Sequence, residues 1–313
     1  MMKAHPHLNP LPSRERREMD KARIKLSFSN AAKNYDSNAL FQKEVADELL
    51  SKYFNPPSPP FIKGGEGGGF SILDIGCGTG FLSHNLTERF PEANILSCDI
   101  SHAMVKQALS KLQGTSCKRQ TNKIHFLNSD GELLPYKTES FDIVTSNLTY
   151  QWMNDIKTAF SEAYRVLRPG GGFVFSTLGT ATLKELRMCY IEASAILSRN
   201  GLPAFIGFSD QPFIQSALAN AGFKNISPAT TNIIKTHDDM WGLLKNIKSI
   251  GAGNPFKDGD NSLARGSILK KMAEIYNDRF KIKDSRLTTC NSQLATRNRI
   301  YATYEVMFVY CKK

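Results

Sequence analysis

The spacing of apolar positions changes several times along the chain, and each change marks an element. Ile72-Leu-Asp-Ile75 is a short apolar run. Gly76, Gly78 and Gly80 then alternate with small residues, and an amphipathic segment follows from Phe81 to Phe90. That order predicts a buried strand, a tight turn and a helix start. Asn94 to Cys98 reads as a second strand ending at Asp99, with Ser101 placed to cap a helix from His102 to Leu112. Ile124 to Leu127 gives a third strand and Ser140 to Ser146 a fourth. Helical spacing from Asp155 to Leu167 stops at Arg168-Pro-Gly-Gly-Gly172, and Phe173 to Thr177 is a fifth strand. Helical patterns at 182–198, 209–221, 236–249 and 262–279 surround a sixth strand, read from Ala221-Gly-Phe-Lys-Asn-Ile226 into Thr231-Asn-Ile-Ile234. Tyr301 to Cys311 alternates apolar residues and would be an antiparallel seventh strand. Strands alternating with helices predict an α/β fold: a mostly parallel seven-stranded sheet, helices on both faces and a helical cap.

Composition narrows the class. A chain of 313 residues, 41% hydrophobic, can bury a full core in one large domain. No apolar run approaches the roughly 20 residues that span a bilayer. The basic N-terminal stretch lacks an apolar core of the kind a secretory signal carries, so a cytoplasmic protein with no membrane partner is expected. Six cysteines without C-x-x-C pairs fit reduced thiols, and six histidines show no metal-ligand spacing. The net charge of +11 suggests nucleic acid until it is located. Residues 1–25 carry +4, residues 281–299 another +4, and Lys312 with Lys313 add two, leaving the rest near neutral. The basicity is peripheral, which removes the main support for nucleic acid and leaves room for an acidic protein partner. Residues 5–18, 55–69 and 284–298 lack periodicity, and the second of these runs from proline-rich to glycine-rich. All three are expected to be disordered and without a catalytic part.

The turn after the first strand carries the chemistry. Its spacing is G-x-G-x-G with Asp74 ahead of it and no lysine. That differs from a dinucleotide loop and from a phosphate loop. A carboxylate facing the ligand would repel pyrophosphate but suits a cationic methionine end. Asp99 lies 19 residues past Gly80 at a strand tip, where a carboxylate can accept both hydroxyls of a ribose; a bare strand end is the alternative. Asp74-Ile-Gly76-Cys77-Gly78-Thr79-Gly80 resembles motif I of the class I S-adenosylmethionine methyltransferases, whose fold is Rossmann-like. The resemblance implies that Asp130 bonds the adenine amino group. It also implies that Ile100, Met104, Gly131 and Asn147 help to line the S-adenosyl-L-methionine site.

The likeness extends over most of the chain apart from the three inserts. Lys25-Leu-Ser-Phe-Ser-Asn-Ala-Ala-Lys-Asn-Tyr-Asp36 followed by Ala39-Leu-Phe-Gln42, Asn147-Leu-Thr-Tyr-Gln-Trp152, Phe175-Ser-Thr-Leu-Gly-Thr180 with Leu183-Lys-Glu-Leu-Arg187, and Thr303-Tyr-Glu-Val306 together resemble the malonyl-acyl-carrier-protein O-methyltransferases of biotin synthesis (BioC type). That family methylates the free carboxylate of a malonyl thioester, so malonyl-acyl-carrier protein, or malonyl-CoA, is the implied partner. Arg187 is the candidate fork for the malonyl carboxylate, although an arginine there reads equally as a solvated helix face. Tyr35, with Phe28, is a candidate lid, and Asn147 and Trp152 are candidate acceptor-site residues; Trp152 could equally be core. The division expected is a basic tail at 1–20, a helical lid at 21–54, an insert at 55–69 and the cofactor-binding core at 70–180. A cap with the sixth strand at 181–280, a second insert at 281–299 and the last strand at 300–313 complete it, in a monomer. A small-molecule or quinone-ring methyltransferase and a non-catalytic adenosyl-binding subunit remain the alternatives.

Overall fold

The computed structural model describes residues 19–55, 69–114, 123–198, 207–253, 262–282 and 299–313. Its sheet comprises β1 (Ser71–Ile75), β2 (Asn94–Asp99), β3 (Ile124–Asn128), β4 (Phe141–Asn147), β5 (Leu167–Leu178), β6 (Lys224–His237) and β7 (Ile300–Lys312). The strand order is β3-β2-β1-β4-β5-β7-β6. β1 to β5 pair in parallel, and β7 runs antiparallel to both β5 and β6. The chain therefore reverses direction across the sheet between β1 and β4, where the carboxyl ends of the strands open a crevice.

Alternation along the strands decides which side each residue buries. Leu73, Val144, Phe173, Phe175, Met307 and Val309 point to one face, where they meet helices α6 (Ile156–Val166) and α8 (Gln211–Asn220). Ile72, Ile143, Val174, Val306 and Phe308 point to the other, against α3 (Leu40–Tyr53) and α4 (Phe81–Arg89). A buried face on each side explains the near-continuous apolar runs of the central strands. A third cluster joins α7 (Lys184–Ile196), α9 (Met240–Ser249) and α10 (Ser262–Arg279) to Ile300, Ala302 and Tyr304 of β7. These three helices form the cap, whereas α8 belongs to the sheet face.

Helix starts follow local capping. Asp20 accepts from the Arg23 amide at the head of α1 (Lys21–Ala31). Asp155, Asp210 and Asp239 do the same for α6, α8 and α9. Ser101 Oγ accepts from Met104 N at the start of α5 (His102–Gly114).

Several boundaries differ from those expected. β6 runs from Lys224 to His237, against the expected 221 to 234. It is the sheet's edge, and Pro228 fits there because an edge residue can spare its N–H. β5 begins at Leu167, earlier than the apolar pattern predicts. The Pro-Gly-Gly stretch forms an irregularity in which pairing with β4 jumps from Leu167 to Gly172 while Gly170 takes φ +77. Met19, assigned to a disordered tail, is buried, and its backbone N–H and carbonyl both bond Asn154. Most of the three expected inserts lies outside the described residues. Where the last of them is described, Ile282 N donates to Arg299 O beside a Lys281–Ile300 bridge.

Candidate active site

The crevice at the carboxyl ends of β1, β2 and β4 is roofed by the N-terminal segment and the cap. Gly76 and Gly78 form its floor, with φ of +73 and +54. A Cβ on Gly76 would lie 2.2 Å from Thr149 Oγ1, so glycine alone allows this approach of the turn to β4. The turn is hung from β2, since Gly76 N and Cys77 N both donate to Cys98 O.

Asp99, at the tip of β2, lines the crevice. Its carboxylate accepts from Gly78 N at 2.9 Å and from Ser101 N at 2.8 Å, which fixes it between the turn and α5. Burial raises its pKa to about 6 against the lowering effect of those two bonds. Ile100, Met104, Asp130, Gly131 and Asn147 line the same space. A carboxylate at the strand tip, an acid on the next strand's exit and a glycine floor between them match the nucleoside part of such a cofactor. The residues present therefore fit S-adenosylmethionine.

Asp74 departs from the expectation that it faces the ligand. It is 1% exposed beneath the turn, where Ser83 Oγ donates to its Oδ2 at 2.5 Å and Oδ1 has no partner. Burial lifts its pKa to about 7, Ser83 working against this and Asp99 adding to it. With Cys77 and Thr79 it lines a smaller recess that adjoins the main crevice and shares Tyr35, Gln42, Gly76, Gly78 and Asn147 with it. Thr79 turns its hydroxyl to Asp36 at 2.7 Å, and Gly80, at φ +84, starts α4. These four residues shape the turn from behind; none of them lines the main crevice.

Arg187 is the second correction. It does not line the crevice. Its Nη2 donates to Thr180 O at 3.0 Å and Thr182 O at 2.8 Å, and burial lowers its pKa against the pull of Glu185. The surrounding motif is a joint. Glu185, 1% exposed, accepts from Thr303 N and from Thr303 Oγ1, while Thr182 Oγ1 donates to Glu305 O and accepts from Glu305 N. The exit of β5, the head of α7 and β7 are locked together by these bonds.

Asn147 is also tied. Its Nδ2 donates to Gln42 O at 2.9 Å, and its Oδ1 accepts from Ser176 Oγ at 2.7 Å. Tyr35 lies over the turn, 3.9 Å from where a Cβ of Gly78 would be, and burial with the charge of Asp99 raises its pKa. Trp152 is no core residue. It lines the crevice with its ring edge-on to Phe28 of α1 at 5.2 Å.

Sequence reasoning missed Lys21. Its Nζ reaches Asp130 Oδ2 at 2.5 Å and Glu132 at 3.1 Å, so α1 is pinned at the nucleoside end by a contact spanning 109 positions. Asp36 pins the other end of the segment to Lys111 at 2.6 Å. No local pattern announces either pair. Gln42, Asn246 and Tyr304, also lining the crevice, were missed as well.

A family profile described as a methyltransferase domain matches residues 73–175. A malonyl-acyl-carrier-protein O-methyltransferase from Geobacter sulfurreducens is 32% identical across 84% of this chain and 92% of its own length. The chain belongs to the malonyl-acyl-carrier-protein O-methyltransferase family. A Methylovorus member is likewise 32% identical, over 94% of this chain and 90% of that one. A bifunctional BioHC protein of Saccharophagus degradans is 35% identical over 82% of this chain but only 43% of its own length. Among solved structures, the YcgJ protein of Bacillus subtilis superposes with a TM-score of 0.52 at 18% identity, covering 78% of this chain and 92% of that one. That likeness is one of fold; with the strand order and the methyltransferase-domain match it gives the Rossmann-like class I methyltransferase fold. Membership in the malonyl-acyl-carrier-protein O-methyltransferase family makes this chain an enzyme, with S-adenosyl-L-methionine as its methyl donor.

Proposed function

We propose that this enzyme methylates the free carboxylate of a malonyl group carried as a thioester on acyl-carrier protein, an early step of biotin synthesis. The observation that carries the reading is a likeness of 31–33% to proteins of that name over nearly their whole length. The cofactor, when bound, supplies an electrophilic methyl on a sulfonium. A carboxylate oxygen attacks that carbon as the carbon–sulfur bond breaks toward sulfur, giving a methyl ester and a neutral thioether.

The chain's own residues supply binding and shelter. Asp99 takes the ribose hydroxyls, and Asp130 takes the adenine amino group. Tyr35, Phe28 and Trp152 form aromatic walls that suit a sulfonium and exclude water. The acceptor is ionised at neutral pH, so no general base is needed. Alignment of the reacting atoms then carries most of the rate.

Incubation with labelled S-adenosylmethionine and malonyl-carrier protein tests the reading. A base-labile methyl ester is expected, formed faster than with malonyl-CoA. Label transfer to a quinol instead, or tight cofactor binding with no transfer to either malonyl thioester, would overturn it.

A further inference from the structure

Among the described residues that line the crevice, Lys21 is the one cation, and it sits at the nucleoside end on Asp130 and Glu132. On the cap side the lining includes Asn246 of α9 and Tyr304 of β7. Ile247, next to Asn246 in sequence, shares an apolar cluster with Tyr304 and the cap helices. No hydrogen bond among the described residues uses the Asn246 amide or the Tyr304 hydroxyl. Thr182, the neighbouring hydroxyl, is already engaged on both sides by Glu305.

Unspent amide and hydroxyl donors on an apolar wall are a binding set looking for an acceptor group. We infer that Asn246 and Tyr304 hold the malonyl carboxylate through uncharged hydrogen bonds, taking the place of an arginine fork. The inference rests on the malonyl reading above and names the part of the site that would recognise its acceptor.

The chemistry favours neutral donors. The carboxylate loses its charge as the ester forms. A paired guanidinium would therefore stabilise the reactant more than the transition state and slow the step. A guanidinium beside a sulfonium would also meet like-charge repulsion in a crevice of low polarity. An amide and a phenol hold the oxygens in line at smaller cost, and they leave no stranded cation against the neutral product. Arg187, meanwhile, holds two backbone carbonyls.

The test compares wild type with Tyr304→Phe, Asn246→Ala, Asn246→Asp and Arg187→Lys. Affinity for S-adenosylhomocysteine is measured by calorimetry, and kcat/KM with malonyl-carrier protein. Tyr304→Phe and Asn246→Ala should each lower kcat/KM by about 10- to 150-fold, the scale of one lost hydrogen bond to a charged group. Asn246→Asp should lower it by more than about 100-fold, because it sets a like charge against the acceptor. Cofactor affinity should stay within about twofold in all three, which also reports an intact fold. Three results overturn the inference: unchanged kcat/KM in any two of these variants, a loss matched by an equal loss of cofactor affinity, or a collapse of kcat/KM confined to Arg187→Lys. If wild type forms no malonyl ester, the malonyl reading falls and takes this inference with it. If wild type forms the ester and the variants match it, the inference alone falls.

Discussion

Replacing Asp99 by Asn removes a charge while keeping the shape of the side chain. The carboxylate accepts from two backbone N–H groups, one oxygen on Gly78 and the other on Ser101. An amide has a single oxygen, so its NH2 must face one of those N–H donors. One bond is lost and a donor is left opposed, for about 1–3 kcal/mol. The same change removes the charged acceptor for the ribose hydroxyls. Affinity for S-adenosylhomocysteine should therefore fall between about 5- and 150-fold, each factor of ten corresponding to about 1.4 kcal/mol. The pH dependence is the sharper readout. Burial puts the Asp99 pKa at about 6, and the ribose needs the ionised form, so a proton competes with the ligand below that pH. Wild-type affinity should weaken as pH falls from 7 to 5, approaching tenfold per unit, while the Asn variant stays flat over that range. Calorimetry at several pH values with the thioether product avoids the donor's own charge. Binding by the variant within threefold of wild type, with the same pH profile, would refute the reasoning.

Three further outcomes are expected from neighbouring contacts. Asp74 has a pKa raised to about 7 in the fold from an ordinary 3.8, so the folded state favours its protonated form. Its contribution is full at low pH and is lost as pH rises through about 4 to 7, for a cost on the order of 4 kcal/mol. Urea unfolding of wild type and Asp74→Asn at pH 5 and pH 8 should show wild type losing ground at the higher pH, and parallel values would contradict this. Gly76→Ala should abolish cofactor binding, because its Cβ would lie 2.2 Å from Thr149 Oγ1 at a positive φ; a second change, Thr149→Gly, should restore only part of it. Glu185→Ala strands the Thr303 N–H and hydroxyl in a buried joint, which should cost about 2–4 kcal/mol and lower Tm by about 5–10 °C by calorimetry, with Gln recovering part.

What could be read from the sequence depended on the range of the interactions involved. β1, β2 and β4 announce themselves because both faces are buried, and their apolar runs cannot be anything else for long. The acid at position 99 is legible because strand tip and turn are close in sequence and in space. The bounds of β6 are blurred because an edge strand needs few apolar residues, and its polar positions mark no clear start or stop. Arg187 misleads for a different reason. The chain enters α7 through Leu183 at φ +53, and that local turn sets its guanidinium on the carbonyls of residues 180 and 182, not on the crevice. Asp74 keeps its place in the motif but faces the back of the turn, a direction that spacing does not encode. The Lys21 and Asp36 contacts join segments far apart, and only the folded chain brings them together.

The sheet order carries a consequence for how the molecule is made. β7 lies between β5 and β6 although it comes after both along the chain. On the ribosome, β6 emerges with no neighbour to pair with, and β5 waits with one open side. Until residues 300–312 leave the exit tunnel, both strands offer unpaired backbone to chaperones or to other nascent chains.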